Sequence, residues 1–256
     1  MIITSTQLLV FFLIFIRLLT MIRLMPIFSN NDILAMYKVF FAVWVSILMI
    51  FYVPLPLQFP QTGFALVFIM LNEMLIGAIL AFVAQIFIYG IEFAGSLMDT
   101  QAGISVAQTL DPASGQNTTL IYKILRQVSI IVLMLINGHH VFLGILLTSF
   151  ITVPVGTPFD LSKAALFATE LGGTVFEVAL QFSAPILLVV FMVDFGFGML
   201  SRVAPQVNVF QLGFQIKPSI SLFVLLSIIP VFLGLLTFLL EKVSEDMLRT
   251  MYLMKL

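Results

Sequence analysis

The sequence contains no cysteine. That excludes disulfides, thiolate metal sites and cysteine nucleophiles together, and says nothing about compartment, because a membrane-embedded chain needs no disulfide. Charge is scarce as well. Only 9% of the 256 residues are Asp, Glu, Lys or Arg, against about 25% in a soluble globular domain. So little polar surface cannot cover a globule in water, and for most of the chain the solvent has to be lipid. Neither sign of charge dominates. The formal net charge of −1 argues against a polyanion partner, and no nucleic acid is expected.

Catalytic vocabulary is missing too. There is no G-x-S-x-G, H-E-x-x-H, P-loop or G-x-G-x-x-G pattern. GFGML beside Asp194 lacks a third glycine and a preceding strand. The two histidines, His139 and His140, are adjacent, so on a helix they point about 100° apart and cannot form an i, i+4 metal pair. Glu170 and Glu177 lie on a polar stripe and read as a solvated or interfacial face. No enzyme, metal or cofactor is expected.

What the chain does have is apolar length. It is 61% hydrophobic, with 27 Phe, 14 Met and a mean hydropathy of +1.20. A spanning helix needs about 20 mostly apolar residues. Six segments qualify as candidates, at residues 7–28, 33–57, 64–95, 120–137, 160–200 and 218–240. The first has no basic stretch before LLVFFLIFI and no small-x-small site after it, so it reads as a retained segment and not a cleaved signal. VPLPLQFPQTG stops the second. GHHVFLGILLTSFITVPVG after the fourth is short, which suits a hairpin partner or a re-entrant element. Pro218 is expected to open the last segment, where a missing N–H costs nothing, and Pro230 to kink it. The tail EKVSEDMLRTMYLMKL reads as amphipathic and aqueous. The expected fold is an all-α integral membrane protein, with about six long segments arranged in helical hairpins.

Charges within such segments cost a few kcal/mol each and are rarely left facing lipid. Arg17, Arg23, Glu73, Glu92 and Asp194 all sit in apolar surroundings. At about 100° per residue, Glu73, Gly77, Ala81, Ala84, Gln85, Glu92 and Gly95 share one side of the third segment. Small residues there allow close backbone approach and polar ones find partners. That face is either a helix–helix contact with satisfied glutamates or the wall of a transport pathway. The many Met and Phe side chains suit core packing and lipid contact, and also a deformable seal.

Two polar stretches interrupt the pattern. TLDPASGQNTT, residues 109–119, carries the turn pairs Asp111-Pro112 and Ser114-Gly115 and ends in residues that can cap a helix. It is either a loop in water or irregular backbone held within protein, since non-helical chain at membrane depth has to be buried or line a wet cavity. The second stretch, APQVNVFQLGFQIK, joins the fifth and sixth segments.

That second stretch resembles the signature of the FliR family of type III secretion export-gate proteins, at Pro205, Gln206, Asn208, Phe210, Gly213, Phe214 and Lys217. An ordered series agrees: Arg17, Pro26, Glu92, Gly95, Gln101, Gly103, Asp111-Pro112, Gly138-His139, Ser149, Pro154 and Gly156. The likeness runs through essentially the whole chain. Gln215-Ile216 departs from the flagellar pattern, which usually has Pro before the hydrophobic residue; this leaves the virulence-secretion branch as an alternative.

The resemblance implies a non-enzymatic subunit of the flagellar export gate. Such a subunit joins FliP and FliQ in a closed helical pore for unfolded flagellar proteins, alongside FlhB and FlhA, in the bacterial inner membrane at the flagellar basal body. It implies a FliP-like portion at 1–173 and a FliQ-like hairpin with the amphipathic tail at 174–256. It also implies that a loop plugs the pore, matching Val106, Ala107, Gln108, Thr109, Leu110, Asp111, Pro112, Ala113, Ser114, Gly115, Gln116 and Asn117. Glu73, Glu92, Asp194, Pro205, Gln206, Asn208, Phe210 and Lys217 are expected at subunit interfaces or as buried polar groups. The alternative function is an ion-coupled secondary transporter working through Glu73, Glu92 or Asp194.

Overall fold

The computed structural model describes residues 5–25, 28, 33–53, 63–105 and 120–255. Every regular element among them is a helix: α1 Ser5–Leu24, α2 Ala35–Met49, α3 Gly63–Gln101, α4 Leu120–Leu135, α5 Gly138–Thr152, α6 Leu161–Val203 and α7 Val209–Met254. This is what apolar sequence in lipid dictates. No water is available to satisfy the backbone there, so each segment closes its own hydrogen bonds. Four of the described helices (α1, α3, α6 and α7) are long and apolar enough to cross a bilayer, and the chain is a membrane protein. The pair α4 and α5 amounts to one broken span or a re-entrant element. Asn137 makes the break, with φ at +58°, a conformation Asn tolerates better than most residues.

Two expectations need correction. Among the described residues, the second segment is helical over the 15 residues of α2, short of a span. The connector before the last segment is far shorter than the motif suggested, because α7 already begins at Val209. Pro218 and Pro230 therefore both lie inside α7, and Pro218 opens nothing. The tail EKVSEDMLRTMYLMKL is helical to Met254. It continues α7, with Val243, Met247, Met251 and Met254 buried at helical spacing and Lys242, Glu245 and Arg249 on the exposed side.

The chain divides into two compact units, one of Met1–Ile86, Leu133–Gly172 and Leu240–Leu256, the other of Phe87–Val132 and Gly173–Leu239. The first is built around Leu13, Leu18, Met21, Ile76, Leu80 and Phe150, all buried. Its α1 and α3 approach closely at Gly77, where an added Cβ would lie 2.6 Å from the carbonyl oxygen of Arg17. The second packs Phe87, Ile91, Ile121, Leu125 and Phe182, with the Phe182 and Phe232 rings 4.9 Å apart. At Gly90 an added Cβ would stand 2.8 Å from Val178. In lipid, helix association gains little from removing apolar surface from solvent, so close packing at small residues and polar pairing hold helices together.

Candidate functional site

Three polar clusters stand out against this background. The first lies in the first unit, around Arg17. Its side chain is fully enclosed midway along α1. Nε donates to Glu73 Oε2 at 2.6 Å, and Nη1 donates to the carbonyl oxygens of Ser149 and Val153 at 3.1 and 3.0 Å. Those carbonyls belong to the end of α5, where the helix dipole favours a cation. Glu73 Oε1 accepts the Gly156 amide at 2.9 Å. Gly156 has φ at +81°, a conformation that favours glycine. The Phe150 ring lies 4.5 Å from the guanidinium carbon. The motif positions Arg17, Ser149 and Gly156 thus meet at the Arg17–Glu73 pair.

The second cluster lies in the second unit and was not anticipated from the sequence. Asp99 is fully buried in the last turn of α3, where the dipole disfavours a carboxylate. It reaches instead to the start of α4. Its Oδ1 accepts the Ile121 amide at 3.0 Å and its Oδ2 the Tyr122 amide at 2.9 Å. A carboxylate on the free amides of a helix N-terminus is a strong, charge-assisted contact. The backbone comes close here as well, since a Cβ on Gly95 would meet the Tyr122 Cα at 2.6 Å. One turn earlier, Arg126 Nε lies 3.2 Å from Glu92 Oε1, a charge contact without hydrogen-bond alignment. Asp99 thus holds the end of α3 to the start of α4 and closes the neck of the intervening segment. An acid placed against its own helix dipole was the available sequence signal.

The third cluster, also in the second unit, is the pocket of the signature motif. It is an open pocket of about 340 Å³ lined by Gly103, Asp194, Phe197, Phe210, Phe214 and Lys217, among others. Lys217 Nζ pairs with Asp194 Oδ1. Gly103, at φ +78°, lies against the Phe214 ring, so the departure point of the 106–119 segment abuts the motif. The expected plug itself, Val106 to Asn117, lies outside the described residues.

The other expected residues divide by position. Glu73 and Glu92 are buried, as are Ala81, Ala84 and Gln85 on the same side of α3. Asp194 and Lys217 are partly exposed. Pro205, Gln206, Asn208 and Phe210 are exposed, and Asn208 Oδ1 caps α7 by accepting the Gln211 amide at 3.2 Å. The His139 and His140 rings lie 4.2 Å apart, tilted by 38°. No group of three His, Asp or Glu side chains suited to a metal occurs among the described residues.

Comparison with known proteins gives a consistent answer. The family described as bacterial export proteins, family 1, matches residues 8–243. The flagellar biosynthetic protein FliR of Bacillus subtilis (strain 168) is 30% identical over 221 residues, 84% of each chain. Its counterpart from Pectobacterium carotovorum subsp. carotovorum is 31% identical, over 86% of this chain and 84% of its own. The Yop proteins translocation protein T of Yersinia pestis is 29% identical over 161 residues, 62% of each chain.

Proposed function

The chain belongs to the bacterial export proteins, family 1, and on that premise we propose that it is a non-enzymatic subunit of the flagellar type III protein export gate. In this reading it assembles with FliP and FliQ into a closed pore, works alongside FlhB and FlhA, and sits in the bacterial inner membrane within the flagellar basal body. Residues 1–173 act as the FliP-like portion and 174–256 as the FliQ-like hairpin. Residues 106–117 plug the pore, and exported flagellar proteins pass through it unfolded. The flagellar branch is favoured by fuller coverage from its relatives than from the virulence-secretion protein.

The observation that carries the reading is the neck made by Asp99. A plug has to be tethered firmly at both ends while its middle stays free to leave the lumen, and the buried carboxylate on two α4 amides supplies such a tether. Exposed Phe210, Pro205 and Gln206 fit contact with neighbouring subunits. The ion-coupled carrier is less well supported, since Glu73, Glu92 and Asp194 are each ion-paired to a basic side chain.

Two measurements test the proposal. Affinity purification of the tagged chain from its own cells is expected to bring FliP and FliQ along; a chain that purifies alone and takes up small solutes in liposomes is the carrier instead. Deleting 107–116 in the assembled complex is expected to raise ion leakage across the membrane. Unchanged conductance would count against the plug.

A further inference from the structure

The last turns of α7 carry a buried acid that has no part in that reading. Helix α7 has 46 residues, roughly 69 Å at about 1.5 Å per residue, more than twice the about 30 Å hydrocarbon core. Its uncharged run, residues 218–240, is long enough to fill that core alone. Glu241, Lys242, Glu245, Asp246 and Arg249 follow the run, so this end of α7 lies outside the spanning part. There it meets the start of α6, within the first unit. The Asp160 amide donates to the Met254 carbonyl oxygen at 3.1 Å, and the Arg249 guanidinium carbon stands 4.7 Å from the Phe167 ring centre.

Asp246 lies on the buried side of this end, between Val243 and Met247, and is 8% exposed. Its Oδ2 has no hydrogen-bond partner. The Thr250 hydroxyl donates to the Asp246 main-chain oxygen and not to the carboxylate. Lys242 and Arg249 flank it on the same helix, yet among the described residues neither forms an ion pair with it. On the facing start of α6 the charged groups are Asp160 and Lys163, paired with each other, and the exposed Glu170. Burial lifts the Asp246 carboxyl above the ordinary carboxylate value, against the pull of Lys242 and Arg249 and with help from Glu245. An unpaired carboxylate in such a place is a standing cost, and taking up a proton removes it.

We propose that Asp246 is a proton-binding site that makes the docking of the α7 end on α6 depend on pH. With the proton bound, the end packs firmly; without it, a buried charge loosens the contact. A raised native value means that the folded state holds the proton more tightly than the unfolded one. The gain is complete below the unfolded pKa of about 3.9 and is lost as pH rises through the native value. Asp160 on α6 is shifted the opposite way and acts below the ordinary carboxylate range, so pH separates the two. The site is independent of the export reading and operates whatever the chain conducts.

Hydrogen exchange of the full chain in detergent, over residues 243–254 and corrected for the intrinsic pH dependence of exchange, tests this. Protection is expected to be about threefold or more greater near pH 5 than near pH 7.5. Asp246→Asn is expected to abolish the difference and to keep the protection of the acid form at both pH values. Glu245→Gln, at an exposed neighbour, should retain the pH dependence, as should Asp160→Asn. Equal protection of the wild type at the two pH values overturns the proposal, and so does protection that falls in mild acid. A pH difference that survives Asp246→Asn does the same. An Asp246→Asn chain that fails to fold also contradicts it, because removing an unpaired buried charge should cost nothing.

Discussion

Arg17 and Glu73 form an ion pair of 2.6 Å with both side chains 1% exposed, although they are 56 positions apart. The pair is not isolated. Two carbonyls of the α5 end and the Gly156 amide share it, so one contact ties α1, α3 and the α5–α6 connector together. In a low-dielectric setting such a pair is costly to build and costlier to break, because removing one partner strands the other.

Glu73→Gln is therefore expected to destabilise the protein by about 3–5 kcal/mol. Thermal melting in detergent reads this directly. Replacing both residues, Arg17→Met with Glu73→Met, should cost less than the sum of the two single changes, since neither charge is left alone. A Glu73→Gln protein melting with the wild type would show that the contact holds nothing.

Asp99→Ala removes the acceptor for two amides at the start of α4. The expected loss is about 1–2 kcal/mol, as for other helix caps. Asp99→Asn should lie between, because its amide keeps one carbonyl acceptor. Hydrogen exchange at Ile121 and Tyr122 is the measurement. Faster exchange there, by about tenfold per 1.4 kcal/mol, is expected; unchanged protection would dismiss the neck.

Glycines with and without close neighbours should behave in opposite ways. Gly95→Ala places a methyl 2.6 Å from the Tyr122 backbone, which forces α3 and α4 apart. Gly173 in α6 has open space around it, so Gly173→Ala should be neutral or stabilising by up to about 1 kcal/mol through helix propensity. Detergent melting curves of the two variants compare them. The reverse ranking would contradict the packing of α3 on α4.

Acid should loosen the start of α6. The Asp160 carboxyl is held below the usual carboxylate range, first by the Lys163 ammonium and then by the Lys163 amide. A depressed native value means the contribution is present above the unfolded pKa of about 3.9 and lost as pH falls through the native one. Asp160→Asn should thus differ from the wild type in first-turn hydrogen exchange at neutral pH, and the difference should close in strong acid. The effect is small, because the Lys163 partner is exposed and solvent screens the pair.

Much of the architecture was legible from hydropathy alone. Helices α1, α3, α6 and α7 fall on the long apolar runs. The side of α3 carrying Glu73, Ala81, Gln85 and Glu92 was readable as protein-facing from spacing, and those residues are buried. The motif likewise pointed to Lys217 and Phe210, which line one pocket with Asp194. The ends of elements were harder to place. The run from Val209 to Lys217 looks like turn chemistry, yet it is helical, because an Asn208 cap and continuous α7 packing override local preference. The 106–119 segment showed its turn residues, while Asp99, the residue that closes its neck, passed unnoticed within an apolar run.

The sequence by itself determined that this chain lives in lipid, is helical, and cannot leave its few charges unpaired. Each of those follows from properties summed residue by residue along a window. Which charge meets which was decided only by tertiary structure. Arg17 choosing Glu73, and Asp99 choosing the α4 amides over its own helix, depend on how far α1, α3 and α4 rotate and how closely they approach. The glycines that permit those approaches are visible in the sequence, but the approach itself is a property of packed pairs of helices and belongs to no single segment.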